Sequence, residues 1–351
     1  MAIAKNIYTD NGAVLIGVGV SLTERMIESL KGRNVSHLYI KDKATEDLEN
    51  VDDVPLELRV EAATVIHETF NQIQAANNKW LKAINHLNVD KLQKVFKDLV
   101  YELRANKNVI SLLTNVTVHD NYIFSHSVNV TIYTLAMAIK LGYNDKQLND
   151  LAIGGVFHDI GKSRIPLDVL NKKGRLSDEE FTTIKNHSGY GFEILRNQPS
   201  ISLLSAHCAY QHHEKLDGSG YPRGLKGDEI HPYAKIMAVA DVFDALTSTR
   251  SYRNAMLPHE AIEVLFTEAN THFDSSIIQT FRHSVASYPI GVTVKLNTGE
   301  TAVVAQYLFD SPGRPIVRVV KDSYGKNLDK AYDLDLSKNL TLLITECDAI
   351  M

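Results

Sequence analysis

The sequence predicts a mainly α protein: a central all-helical bundle, a small α/β unit before it and a small β appendage after it. Three observations carry this reading. From about Leu58 to residue 286, apolar residues recur at three- and four-residue intervals, the period of helices with one buried face. Two Ser-x-x-Glu patterns, at Ser21–Glu24 and Ser177–Glu180, have the form of a capping box at a helix start. After Pro289 the period drops to two, with turn residues between the runs.

The N-terminal unit spans residues 1–57. Residues 13–17 read as a buried strand. The first capping box opens a helix that runs to about Lys31, with Leu22, Met26, Ile27 and Leu30 on one face and Gly32 as its stop. Residues 37–40 read as a second strand, and the acidic, polar stretch 41–57 as a linker. Connecting helices follow at 58–118. Their stripes are Leu58, Ala62, Val65, Ile66, Phe70 and Ile73, then Leu92, Val95, Phe96, Leu99 and Leu103. Two overlapping readings stand for these stripes: bundle core, and a signalling or dimerising helix.

The central unit spans 119–288. Helices are expected at 122–141, from Leu151 to Lys162, from Ser177 past His187, at 201–214, at 234–248 and at 259–286, with a loop at 163–176. The last unit, 289–351, shows alternation at Val292, Val294 and Leu296. An Asn297-Thr-Gly299 turn and further runs at 302–306 and 316–320 complete a small sheet.

Bulk composition excludes several classes. The 351 residues are 44% hydrophobic and 23% charged, with a formal net charge of −5, so attraction for an anion must be local. The two cysteines, Cys208 and Cys347, lie far apart without metal-knuckle spacing and fit a reducing compartment. No apolar run is long enough for a membrane span, and none at the N-terminus has the form of a signal peptide. The expected location is the cytoplasm, with no nucleic-acid polymer as partner.

The 14 histidines are the unusual feature. His126, His158, Asp159, His187, His212, His213 and Asp241 all fall on predicted helices or at helix ends. Helix bundles build metal sites from inward-facing side chains of this kind. Neighbours on a helix diverge by about 100°, so His158 and Asp159 are expected to reach one metal and the gap between two. Asp159 has two oxygens and is the natural bridge. Seven ligands exceed what one zinc ion uses, and the nitrogen–oxygen set without thiolate suits iron, manganese, nickel or zinc, with iron or manganese favoured. Two such ions can share a bridging hydroxide as nucleophile, which points to phosphoester hydrolysis. Lys162, one turn after Asp159, and the pair Arg250 and Arg253 offer charge to an anionic substrate. The loop from Asp217 to Pro222 lets backbone approach a ligand at its glycines, with Tyr221 beside them. The remaining histidines of the region, His119, His207, His231, His259, His272 and His283, are expected to be surface or core residues. Cys208, one turn before His212, is expected near the site without a task.

Together these residues resemble the HD-GYP family of HD phosphohydrolases. The resemblance runs from about His126 to Arg253. It rests on His158-Asp159-Ile160-Gly161-Lys162, His187, His212-His213-Glu214, the Asp217–Pro222 loop, Asp241-Val-Phe-Asp244-Ala-Leu and Arg250-Ser-Tyr-Arg253, an ordered set with no broken element. It implies an HD-type bundle that hydrolyses cyclic di-GMP to the linear dinucleotide and GMP. It implies that His126, His158, Asp159 and Asp241 hold one metal and His187, His212 and His213 the other, with Asp159 bridging. Lys162 would contact the scissile phosphate and protonate the leaving oxygen. Gly220, Tyr221, Arg250 and Arg253 would line the substrate site. Members with a third metal carry a Glu one turn before the residue matching His126. Tyr122 stands there, so the resemblance implies two ions and does not extend to a third. The alternatives are a module that binds a cyclic dinucleotide and signals through the 58–118 helices, possible partners in a homodimer, and a phosphohydrolase of another nucleotide such as cyclic GMP-AMP.

Overall fold

Ser177 Oγ accepts the Glu180 backbone N–H at 3.2 Å, and the Glu180 carboxylate accepts the Ser177 N–H at 2.7 Å. This reciprocal cap satisfies two otherwise free donors at the start of a 19-residue helix, where the sequence places it. The structure is a computed structural model. It describes residues 1–9, 13–33, 35, 38–48, 54–75, 89–105, 116–117, 122–172, 174–248, 255–308 and 311–348.

Among the described residues the helices are α1 (Glu24–Gly32), α2 (Leu56–Ala75), α3 (Val89–Ala105), α4 (Tyr122–Lys140), α5 (Asp145–Phe157), α6 (Leu167–Leu170), α7 (Asp178–Arg196), α8 (Leu203–Gln211), α9 (Pro232–Thr247), α10 (Pro258–Thr267) and α11 (Ser275–Arg282). The strands are β1 (Ile7–Tyr8), β2 (Val14–Ile16), β3 (Val116–Thr117), β4 (Thr293–Leu296), β5 (Thr301–Gln306), β6 (Ile316–Lys321), β7 (Asn327–Asp335) and β8 (Ile344–Asp348).

One apolar core joins α2 through α5 with α7 through α11. The stripes of α2 and α3 are spent inside it: Ala62, Val65, Ile66, Phe70, Leu92, Val95, Phe96, Leu99 and Leu103 are all buried. Phe70 of α2 meets Phe124 of α4 edge to face, with ring centroids 5.6 Å apart. The connecting helices are therefore part of the bundle that carries the histidines. The C-terminal sheet is antiparallel, in the order β7-β6-β5-β4-β8. Its inward residues alternate, with Val294, Leu296, Ala302, Val304, Val317 and Val319 forming a separate core. A three-stranded sheet, β2-β1-β3, sits at the N-terminus.

The structure corrects several expectations. The first helix is capped by Thr23, whose Oγ1 accepts from the Met26 N–H at 3.3 Å. Ser21 stands two residues before that cap, where its backbone bridges to Ala2. The strand at 13–17 is an edge strand, and Val14 is 54% exposed rather than buried. At 37–40 only Ile40 forms a bridge, to Ile3, and residue 37 lies outside the described residues. The stretch 163–176 holds the single turn α6. The helix expected over 259–286 is two helices. Asn270 adopts a left-handed φ of 63° between them, and Asp274 caps α11 by accepting from the Ser276 N–H. The sheet has two further strands, β7 and β8, at its edges. Their solvated faces weaken the alternation that marks the inner strands.

The helix expected from Leu151 to Lys162 starts earlier, behind an Asn144–Gln147 capping box, and ends at Phe157. His158 and Asp159 are in a turn, and Ile160–Arg164 form a 3₁₀ turn beyond it. The cause is tertiary. A Cβ on Gly161 would stand 1.9 Å from the His187 carbonyl oxygen, so the chain leaves the helical path to press its backbone against α7.

Candidate metal centre

The seven side chains singled out in the sequence converge where α4, the end of α5, α7, the end of α8 and α9 meet. His126 is on α4, His158 and Asp159 follow α5, His187 is on α7, His212 and His213 follow α8, and Asp241 is on α9. All are buried except His213, which is half-buried. Two groups of ligand atoms form. One is His126, His158 and Asp159; the other is Asp159, His187, His212 and His213.

Asp159 belongs to both because its two oxygens point different ways. Oδ2 lies 3.4 Å from His158 Nε2 and 3.8 Å from His126 Nε2. Oδ1 lies 3.4 Å from His187 Nε2 and 3.9 Å from His212 Nε2. Asp241 also faces both sides. Its Oδ1 is 3.1 Å from His126 Nε2 and 4.0 Å from His158 Nε2, and its Oδ2 is 3.9 Å from His213 Nδ1. The resemblance implied one metal for Asp241; the geometry gives it an oxygen toward each group.

The ring nitrogens facing away from the centre are held. His158 Nδ1 donates to Gly155 O at 2.6 Å, and His187 Nδ1 to Ile184 O at 2.7 Å. His212 Nδ1 shares its proton between Cys208 O and Ala209 O at 3.1 and 3.0 Å. A carbonyl can only accept, so Nδ1 carries the proton and each Nε2 turns a lone pair inward. His126 Nδ1 meets Asp244 Oδ2 at 2.7 Å instead.

The donor set fits a pair of divalent cations. His158 Nε2 and Asp159 Oδ1 are buried with no hydrogen-bond partner among the described residues. An unsatisfied buried polar atom costs about 1–3 kcal/mol, which a cation at each group would offset. Electrostatics at His187, His212, His213 and the two carboxylates agree with ligand roles, whereas at His126 burial is outweighed by hydrogen bonds to Asp241 and Asp244, which raise it to about 9, so an ion there would have to displace its Nε2 proton. Burial pushes His187 down to about 4 and His213 down to about 3, and burial with the neighbouring imidazoles holds His212 well below its ordinary value. Against the cost of burial, Lys162 and His158 keep the Asp159 carboxyl well below the carboxylate range, and His126 does the same for Asp241. Neutral imidazoles and ionised carboxylates are the forms that bind metal.

Lys162 Nζ lies 2.5 Å from Asp159 Oδ2, at the edge of the centre. Tyr221 places its ring 4.7 Å from that of His213, and its N–H donates to His213 O at 3.1 Å. Burial, with Asp241 and Asp159 nearby, raises the Tyr221 phenol far above its ordinary value, so it stays a donor. Gly220 is fixed by close approach: a Cβ there would stand 2.3 Å from the Lys215 nitrogen. Arg250 and Arg253 lie outside the described residues. Tyr122 opens α4 one turn before His126.

Other residues prove important that the sequence did not single out. Glu214, beside the paired histidines, accepts the Arg223 and Leu225 N–H groups at 2.8 and 2.9 Å and so pins the loop after Pro222. Its place in a His-His-Glu run was the available signal. Gly161 and Asp244 were visible as motif members without a task. Cys208 packs under Gly154 with its thiol pushed far up by burial, and only its carbonyl serves the site. His207, His231, His259, His272 and His283 stand outside both ligand groups. They are engaged in ring contacts, caps or, for His272, a 2.6 Å contact with Glu268. His119 lies outside the described residues.

Comparison with known proteins places these observations. Residues 110–277 match the family model described as an HD domain, and residues 293–350 match one described as a KOW domain associated with HD domain. A cyclic di-GMP phosphodiesterase of Pseudomonas aeruginosa is 36% identical over 226 residues, covering 63% of this chain and 54% of that protein. The chain thus spans about half the length of that relative. A cyclic di-GMP phosphodiesterase of Thermotoga maritima is 29% identical over 275 residues, covering 73% of each chain. The solved structure of an HDG"Y"P protein from Bdellovibrio bacteriovorus shares the fold, with a TM-score of 0.51 at 20% identity over 80% of this chain and 94% of that one. No helix among the described residues is long and apolar enough to cross a membrane. Residues 110–277 thus match an HD domain, and they carry the His-Asp pair, the paired histidines and the Gly-Tyr-Pro loop by which the chain resembles the HD-GYP family.

Proposed function

We propose that the chain hydrolyses cyclic di-GMP to linear pGpG and GMP, at a centre of two divalent ions, iron or manganese. The observation that supports this most is the division of Asp159, one oxygen toward each ligand group. A bound metal pair supplies nucleophile activation and neutralises charge on the phosphoryl oxygens.

The chain's own residues do the rest. His126, His158 and Asp241 would hold one ion, His187, His212 and His213 the other, and Asp159 would serve both. Lys162 brings its ammonium to the scissile phosphate and gives its proton to the leaving oxygen. Tyr221, protonated throughout the working range, donates to the substrate or stacks on a base, while Gly220 lets the loop lie close. Arg250 and Arg253 take the substrate's phosphate oxygens. The catalytic unit is 119–288, with 1–57, 58–118 and 289–351 flanking it, and the work is cytoplasmic. Pairing of two copies through the 58–118 helices would use faces other than the buried stripes, such as the one where Tyr101 is exposed.

The test is turnover by anaerobically purified protein loaded with iron or manganese, with products separated by chromatography. Conversion of cyclic di-GMP to pGpG or GMP is expected. Cleavage of cyclic GMP-AMP or of linear nucleotides alone would overturn the substrate. Binding without cleavage under every metal would make the domain a receptor.

A further inference from the structure

Among the ligand histidines that face the centre through Nε2, His126 is oriented differently from the rest. His158, His187 and His212 donate Nδ1–H to carbonyls three or four residues back on their own helices. Those acceptors move with the ligand. His126 on α4 instead meets Oδ2 of Asp244, which belongs to α9, at 2.7 Å. Asp244 is itself buried, only 2% exposed, and both its oxygens are used. Oδ2 also accepts from Ser248 Oγ at 3.2 Å, and Oδ1 accepts from Asn129 Nδ2 at 2.8 Å. The Asn129 carbonyl oxygen in turn accepts from Arg59 Nη2 of α2 at 3.3 Å.

We propose that Asp244 is the positioning residue of His126, and that Asn129 and Arg59 extend it into a hydrogen-bonded chain from the connecting helix to the metal centre. The inference rests on the two-ion reading of the site. An ionised carboxylate can only accept, so Asp244 holds the Nδ1 proton in place and leaves His126 Nε2 for a cation. Asn129 can donate from one end and accept at the other, so its orientation is set by Asp244 on one side and Arg59 on the other. A shift of α2 that withdraws the guanidinium frees Asn129, then Asp244, then the ring of His126. His126 is thus the histidine whose outer nitrogen is held through a chain leading to α2, while the Nδ1 groups of His158, His187 and His212 are held by carbonyls three or four residues back.

Three variants and one double variant test this, with metal bound per chain and manganese affinity as the readouts. Asn129→Asp sets two carboxylates face to face and should lower affinity at one of the two sites by about 10- to 100-fold. Asp244→Asn sets an amide against an amide and should lower it less, since Asn129 can turn and pass the clash to Arg59. The double swap, Asp244→Asn with Asn129→Asp, lets every donor meet an acceptor again, with Arg59 facing a carboxylate, and should recover much of the loss. Arg59→Ala should weaken the same site by the smallest amount. A merely structural role would lower the melting temperature without a selective loss of one ion and would give no recovery in the double swap. Wild-type affinity in folded Asp244→Asn and Arg59→Ala overturns the proposal, as does a double swap no better than a folded Asn129→Asp. If Asn129→Asp fails to fold, the other two single variants decide. Cyclic di-GMP turnover is run in parallel. Two ions in the wild type without turnover would defeat the proposed function and leave this chain of residues standing.

Discussion

A methyl group on Gly161 would stand 1.9 Å from the backbone oxygen of His187. That approach ties the two ligand groups together, because Gly161 follows His158 of one group by three residues and His187 belongs to the other. Gly161→Ala must push the 3₁₀ turn away from α7. Overpacking of this kind costs about 1–3 kcal/mol or more. The expected outcome is a melting temperature several degrees lower and fewer than two metals per chain in the protein that remains folded. Thermal melts with metal analysis check both, and unchanged values would show that the turn can move without disturbing the centre.

Glu214 holds the segment just after the Gly-Tyr-Pro loop through the Arg223 and Leu225 backbone N–H groups. In Glu214→Gln one of those donors faces an amide NH₂. The cost is about 1–3 kcal/mol, concentrated in the loop rather than at the ligands. Metal content should hold at the wild-type value, while KM for cyclic di-GMP rises more than kcat falls. Steady-state kinetics on the metal-loaded variant distinguish this from a loss of metal, which would lower kcat through occupancy.

The metal-free protein should have a stability maximum near pH 6.5. His187 and His213 fall from 6.5 to about 4 and about 3 on folding, so the unfolded chain binds more protons below 6.5. Their contribution is complete above 6.5 and is lost as pH falls, by up to about 1.4 kcal/mol per pH unit for each ring. His126 behaves oppositely. Burial opposes its charge, yet hydrogen bonds donated to Asp241 and Asp244 raise it to about 9. Its contribution is complete below 6.5 and is lost as pH rises through 9. Urea melts of chelated protein from pH 4 to pH 9 should trace this dome. A monotonic curve across that range would remove the buried imidazoles as its cause.

The sequence made the ligand chemistry legible but not its spacing in three dimensions. His126, His158, His187, His212 and Asp241 follow no helical repeat, so only their residue types in one helical unit announced them. The Ser177–Glu180 cap was readable because its signal is local. The end of α5 was not, since Phe157-His158-Asp159-Ile160 continues a helical pattern and the break is imposed by contact between Gly161 and α7. Asp244 lies one turn after Asp241 on α9, a spacing that puts both carboxylates near His126, yet two acids three apart are equally at home on a solvated face. The edge strands β7 and β8 escaped notice because only one side of each is covered.

The division of Asp159 between two ligand groups is the claim on which the rest depends. Metal analysis of anaerobically prepared wild type and Asp159→Ala, side by side, tests it most directly. Two iron or manganese ions per wild-type chain and loss of both in the variant, with the fold retained by circular dichroism, is the predicted result. A variant that keeps two ions, or a wild type that never binds more than one, would contradict it.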